Sequence, residues 1–394
     1  MTSGPLGAKN MRRRHLMASS FGTALRVTIF GQSHSPAIGC VVEGLPVGFT
    51  VDLELLRAFM ARRAPGRTRW STPRSEADEP HILSGLNQRG ETCGAPLAIT
   101  IENTNTRSGD YDDVLRIPRP GHADFTAQAK WHGHQDVPGG GHFSGRLTAP
   151  LCAAGGIALQ MLAARGVRVG AHLAQVGGVH DEPFRATECG AQATEALAAQ
   201  LGTLADGRTF PTIDAEAGER MVACIDEARE AKDSVGGAVE CVVTGLPAGI
   251  GEPMFDGIES TIARIAFGVP AVKALEFGAG TSVSELRGSQ NNDPFGIVDG
   301  QPCPLKNDAG GNLGGITTGA PLVFKLHFKP TPSISREQDS VDLAANAART
   351  LSLKGRHDPC IAPRAVPVVE AVTALALLDA WLAFPPQETF QTIG

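Results

Sequence analysis

The chain has 394 residues, 42% hydrophobic and 19% charged, so it is no disordered polymer and is long enough to bury a real core. A net charge of −6, with 3 Trp and 1 Tyr, excludes a basic nucleic-acid binder and a base-stacking surface. The 8 cysteines form no CxxC pair and read as buried reduced thiols of a cytosolic protein, not as a disulfide scaffold or a zinc site.

Residues 1–20 carry Lys9, Arg12, Arg13 and Arg14 but no apolar run. They read as a disordered leader rather than a secretory signal, with Met17 as an alternative start. Residues 21–385 read as one domain and 386–394 as a tail. Cys40 to Val42 is strand-like and runs into the turn Gly44-Leu45-Pro46-Val47-Gly48. Leu53 to Arg63 sets Leu53, Leu56, Phe59 and Met60 on a helical stripe that Pro65-Gly66 ends. Leu97 to Ile101 reads as a strand, and Pro150 to Arg165 as a buried helix despite Gly155 and Gly156. Gly218 to Lys232 and Phe255 to Phe267 read as amphipathic helices. Between them, Cys241 to Gly249 repeats Cys40 to Gly48 with seven of nine positions identical, which predicts two duplicated halves. Pro321 to Phe328 alternates like a strand, and Val341 to Leu351 and Val366 to Leu382 read as helices. Glu370 and Asp379 make the apolar run Ala365 to Phe384 a buried helix rather than a membrane span. Strands occurring singly and in hairpins as well as between helices give the class α+β.

The chain has no GxxxxGK[ST] loop, HExxH helix, GxSxG elbow, or GxGxxG turn between strand and helix. His132, His134 and His142 match no standard metal spacing, so a metal-dependent hydrolase is the weak reading and solvated loop histidines the stronger one. What remains is a series of Gly- and Pro-rich loops, most with His, Arg or Lys. They include Gly31-Gln32-Ser33-His34, Arg62 to Arg69, Arg119 to Asp124, Gly139 to Arg146, Gly310 to Gly315, Lys329 to Ser333 and Gly355 to Pro359. Glycine loops expose main-chain N–H groups to phosphate, and arginine forks grip phosphate and carboxylate. Any one of these loops alone is an ordinary turn or a solvated surface. Together they indicate a site for a polyanionic ligand.

These runs, in order and with matching spacing from about Gly22 to Leu382, resemble the chorismate synthase family. Phe30-Gly31-Gln32-Ser33-His34, Arg107-Ser108-Gly109-Asp110-Tyr111, Arg119 to Asp124 and Arg356-His357-Asp358-Pro359-Cys360 carry the resemblance. It implies a β-α-β sandwich with pseudo-duplicated halves, and a lyase of the shikimate pathway of aromatic amino acid biosynthesis. Such a lyase converts 5-enolpyruvylshikimate 3-phosphate to chorismate and phosphate by 1,4-anti elimination, using reduced FMN. It also implies a cytoplasmic homotetramer whose flavin is reduced by an external flavin reductase, with NADPH as a candidate reductant. The alternative is a paralogue that binds flavin or a phosphorylated ligand without turnover.

By the same resemblance, His34 protonates the reduced flavin, His122 is the acid toward the departing phosphate, and Asp358 assists deprotonation at flavin N5. FMN contacts fall on His142, Ser144, Ala271, Gly314, Lys329, Pro330, Thr331, Ser333 and Arg356. Arg63 and Arg69 match NADPH positions, but the same two with Arg62, Arg119, Arg146 and Arg364 could equally clamp substrate anions, and the substrate reading is favoured for most of them because every member must bind substrate. The sequence departs from the family pattern at His142 and Phe143, where the family carries Arg and Ser. It departs again at Ser35, Ala64, Pro270 and Pro332.

Overall fold

A computed structural model describes residues 19–66, 70, 76–104, 114–186, 191–205, 210–298, 300–353 and 358–387. The first half opens with β1 (Ser20–Phe21), β2 (Arg26–Phe30), β3 (Ala37–Glu43) and α1 (Leu53–Arg63). It continues with β4 (His81–Ser84), β5 (Leu97–Glu102), α2 (Asp124–Trp131) and α3 (Thr148–Ala163). Its strands form one antiparallel sheet in the order β1-β2-β3-β5-β4. Ile38, Cys40 and Val42 on β3, with Leu97, Ile99 and Ile101 on β5, are buried at alternate positions, as a strand with one face on a core requires. That face packs on α3.

The second half runs β6 (Arg168–Val176), β7 (Val179–His180), α4 (Ala191–Ala205), α5 (Ala215–Glu230), β8 (Gly237–Thr244), α6 (Ile258–Ala266) and β9 (Val272–Phe277). Next come α7 (Gly288–Asn291), β10 (Phe295–Val298), β11 (Gln301–Pro304), β12 (Asn312–Leu313), β13 (Ile316–Thr317) and β14 (Leu322–Phe328). The last elements are β15 (Gln338–Asp342), β16 (Ala347–Leu351) and α8 (Ala362–Ala383). The second large sheet has the order β7-β6-β8-β14-β9 and packs on α8. The helices α3 and α8 pack on each other between the two sheets, which makes the sandwich.

The halves share one topology. β2-β3-β5-β4 corresponds to β6-β8-β14-β9, α1 to α6, and α3 to α8. The repeated turn closes the same strand in each half. Gly44 after β3 has φ 84°, and Gly245 after β8 has φ 80°. A Cβ would stand 1.9 Å from the Ala24 carbonyl oxygen in the first turn and 2.3 Å from the Gly166 carbonyl oxygen in the second. Only glycine fits such an approach, so the sequence echo records a steric requirement.

Among the described residues, two helical stretches are long and apolar enough to cross a membrane, Gly145–Ala163, which includes α3, and Ala362–Ala383, and both lie in the buried middle layer. Asp379 on α8 accepts the main-chain N–H groups of Thr23, Ala24 and Leu25 at 2.8–3.0 Å, tying the entry to β2 onto the last helix. Two expectations need correction. The helix expected over Val341 to Leu351 is the hairpin β15–β16, in which Gln338 pairs with Leu351 and Asp342 with Ala347. Asp342 wins that segment by accepting the N–H groups of Ala344 and Ala345 and an Arg116 donor, which sets a turn the Ala-rich composition does not advertise. The helix expected from Phe255 begins only at Ile258, after Gly257. The leader expected over 1–20 lies outside the described residues up to position 18.

A buried ionic triad braces the outer face of the second sheet. His172 on β6 bonds Asp181 through Nδ1 at 2.7 Å and Glu240 through Nε2 at 2.9 Å, and its side chain is fully buried. Burial disfavours the imidazolium, but hydrogen bonds to Asp181 and Glu240 outweigh it and raise the pKa. A pKa raised on folding gives stability that is complete below the unfolded value near 6.5 and is lost as pH rises through the folded value. Urea denaturation of His172→Gln is expected to show a loss of about 3–5 kcal/mol at pH 6, shrinking at alkaline pH. A loss independent of pH would contradict the charged state.

Candidate active site

The C-terminal end of α1 and the N-termini of α3 and α8 meet at one end of the helical layer, around a cavity of about 540 Å³. Arg63 and Pro65 line it from the end of α1, Thr148 from the start of α3, and Ile361, Arg364, Ala365 and Val368 from the start of α8. Two helix N-termini therefore direct their dipoles at the same space, which favours anions there. Segments 119–123 and 139–146 close the first-half side, and 267–272 and 328–333 the second.

Gly139, Gly140 and Gly141 all have positive φ, at 63°, 86° and 53°. The absence of side chains in this turn lets two histidines approach it. A Cβ on Gly139 would lie 2.3 Å from His34 Cε1, and a Cβ on Gly140 would lie 3.1 Å from His122 Nε2. The His34 loop is stitched to this turn: Ser33 N–H donates to the Gly141 carbonyl at 3.1 Å, and His142 Nδ1 donates to the Gly31 carbonyl at 2.8 Å. His142 Nε2 accepts from the Ser19 hydroxyl at 2.8 Å, so both its ring nitrogens serve protein contacts while the residue lines the cavity. Phe143 packs on Trp131 with ring centroids 5.6 Å apart.

The cavity's cations are held by carboxylates. Asp78, fully buried and at φ 53°, accepts from both Arg63 and Arg146. Burial opposes its charge, but the two guanidinium groups outweigh that and hold the carboxyl below its usual value. Arg146 also reaches Glu76 at 2.7 Å and Asn103 at 2.9 Å. Arg63 reaches Thr148 and the Gly145 carbonyl, each at 3.1 Å. Arg119 grips Asp124 with two donors, both at 2.7 Å, and Arg364 grips Asp358 at 2.6 Å. Lys329 donates to the Gly121 carbonyl. Nearby thiols are inert: burial pushes Cys152 up to about 12, and Cys360 likewise.

The structure thus gathers His122, His142, Ser144, Ala271, Lys329, Thr331, Ser333, Asp358, Arg63, Arg119, Arg146 and Arg364 around one cavity, with His34 directly behind Gly139. Other expected residues stand apart. Arg62 turns to Glu370 on α8 with bonds of 2.6 and 2.8 Å. The Pro330 ring packs near Gly236, and Gly314 lies exposed in the loop between β12 and β13. Arg69 and Arg356 lie outside the described residues, as does Arg107 to Tyr111. The metal reading of His132, His134 and His142 gains nothing, since no metal-ligand cluster occurs among the described residues. Sequence reasoning missed Glu76 and Asp78, although both follow the Arg62 to Arg69 run closely enough to signal charge pairing.

The chorismate synthase family profile matches residues 25–382. The chain belongs to the chorismate synthase family. A chorismate synthase of Lancefieldella parvula is 48% identical over 375 residues, covering 95% of this chain and 98% of its own. Those of Thermococcus kodakarensis and Korarchaeum cryptofilum are 44% and 41% identical, each covering 91% of this chain and 96% of their own. A crystal structure of chorismate synthase superposes with a TM-score of 0.69 at 24% identity, covering 92% of this chain and 93% of that one, and shares the fold. As a chorismate synthase the chain is a lyase acting on a phosphorylated small molecule, in keeping with the cationic lining described above.

Proposed function

We propose that this chain converts 5-enolpyruvylshikimate 3-phosphate to chorismate and phosphate by 1,4-anti elimination, with reduced FMN beside the substrate. The observation that carries the reading is the approach of His34 and His122 to two successive glycines of one turn, at a cavity that two helix N-termini face. The residues present fit a flavin mononucleotide. Val269, Ala271, Phe328 and Val368 offer an apolar wall for a ring system, while Lys329, Ser333 and Ser144 offer donors for a phosphate tail. Thr331 Oγ1 is buried there and has no hydrogen-bond partner among the described residues, as a ligand-directed hydroxyl would be.

A bound reduced flavin would supply reversible electron donation to the substrate, with no net redox change over the elimination. The protein supplies position, protons and exclusion of water. His122 gives its proton to the departing phosphate. Its Nδ1 donates to Asp124 at 2.6 Å, which fixes the ring's orientation for that transfer. Arg63, Arg119, Arg146 and Arg364 each hold a carboxylate, so their charge is offset, and the attraction for the substrate's anions comes from the N-termini of α3 and α8 and from Lys329. Arg364 aims Asp358 at the cavity, where a base is needed. His34, packed behind Gly139, would hold a proton for the flavin, reaching the cavity past a turn that carries no side chain.

The working form is a cytoplasmic homotetramer. Met254 at 77%, Phe255 at 83% and Ile297 at 72% exposure support an assembly that covers them. Flavin reduction comes from a separate reductase, with NADPH as the ultimate reductant. Anaerobic mixing of the protein with photoreduced FMN and the substrate is expected to release phosphate and chorismate in equal amounts. A folded, flavin-loaded protein that releases no phosphate would refute the activity. Adding NADPH to oxidised FMN and protein should leave absorbance near ~450 nm unchanged; bleaching would make the chain its own reductase.

A further inference from the structure

Nothing in the elimination itself fixes which ring nitrogen of His122 carries the proton. Its Nδ1 lies 2.6 Å from Asp124 Oδ1. An ionised carboxylate can only accept, so Nδ1 donates and is the protonated nitrogen. Asp124 is ionised: burial opposes its charge, but hydrogen bonds from Arg119 and His122, with the charge of Arg119, hold its carboxyl far below the usual range. Arg119 Nη2 approaches the same ring nitrogen at 3.0 Å. Two donors cannot bond each other, so both converge on Oδ1, which Nη2 reaches at 2.7 Å.

Arg119 Nε at 2.7 Å and the Arg119 main-chain N–H at 3.0 Å take Oδ2. Four donors therefore fix the carboxylate from two directions. They come from Arg119 and His122, both upstream of α2, so Asp124 serves the loop rather than capping the helix it begins. Arg119 is buried and Asp124 nearly so, with side chains 3% and 9% exposed, and the His122 side chain is 15% exposed. With Nδ1 committed, Nε2 is the nitrogen turned to the Gly139–Gly141 turn and the cavity.

We propose that Asp124 is the positioning residue of the acid: it locks His122 with Nδ1 protonated, so that Nε2 alone can deliver a proton to the departing phosphate. This rests on the reading of His122 as the acid. The test uses the full chain labelled with ring-¹⁵N histidine, with the His122 signal assigned by its loss in His122→Ala. The parent is expected to show Nδ1 protonated in its neutral ring. In Asp124→Asn the amide can keep acceptors for only one side of the Arg119–His122 pair, so the Nδ1–H form is depleted. Single-turnover phosphate release is expected to fall about 10²–10⁴-fold in that variant. In a His122→Ala background the same substitution should cost less than about threefold, whereas a merely structural role would cost the same in both backgrounds.

A neutral His122 protonated on Nε2 in the parent, with His122→Ala inactive, overturns the positioning role while leaving the acid reading intact. Turnover of His122→Ala equal to the parent overturns the acid reading and the proposal with it. If Asp124→Asn fails to fold, the parent spectrum decides.

Discussion

His122→Ala is expected to slow single-turnover phosphate release by about 10²–10⁴-fold, the usual worth of a positioned general acid, while the fold and flavin binding persist. The asymmetry follows from what the ring touches. Its polar contacts are Asp124 and Arg119, and those two remain paired through Nε and Nη2 when the imidazole is gone. No buried charge is orphaned, so the penalty for breaking a buried ion pair does not apply. The missing side chain faces Gly140 and the cavity rather than the hydrophobic core, so little packing is lost. Rapid-quench phosphate assays and flavin absorbance titrations of parent and variant separate the two effects. Turnover within threefold of the parent would remove His122 from the chemistry. Loss of flavin binding in step with turnover would make it a ligand contact.

The legible part of the fold was the part set by local sterics. The turns after β3 and β8 share their sequence because each needs a glycine against a carbonyl oxygen, so the duplication can be read without a structure. Helix α1 was legible because Leu56, Phe59 and Met60 fall on one buried stripe. The hairpin β15–β16 was not, because Leu343-Ala344-Ala345 has the composition of a helix and only the Asp342 turn and the cross-strand register overrule it. In the site, residue types were legible and pairings were not. Arg62 and Glu370 are separated by most of the chain, yet their bidentate bridge removes Arg62 from the cavity lining. Likewise, Arg62 to Arg69 read as one loop of a polyanion site, but Asp78 and Glu76 offset the charge of Arg63 and Arg146 in the folded cavity.

That offset makes Asp78 the second position of large expected effect. Its side chain is fully buried between Arg63 at 3% and Arg146 at 6% exposure. Asp78→Ala leaves two buried guanidinium groups short of their shared carboxylate, and a loss of about 3–5 kcal/mol in urea denaturation is expected. The substitution should also reach the site, because Arg63 bonds Thr148 and Gly145 while Arg146 bonds Asn103 and the Glu102 carbonyl. Asp78→Asn preserves the shape and one acceptor, so it should be less damaging than Asp78→Ala. The pH dependence has a definite sign. A carboxyl whose pKa is lowered on folding contributes stability above its unfolded value, near 3.8, and that stability is lost as pH falls through the folded value. The parent should therefore weaken on acidification below about pH 4, and Asp78→Ala should show a shallower dependence over the same window. If Asp78→Ala unfolds within 1 kcal/mol of the parent, the two arginines do not depend on that carboxylate. They would then be available as direct clamps for the substrate's anionic groups.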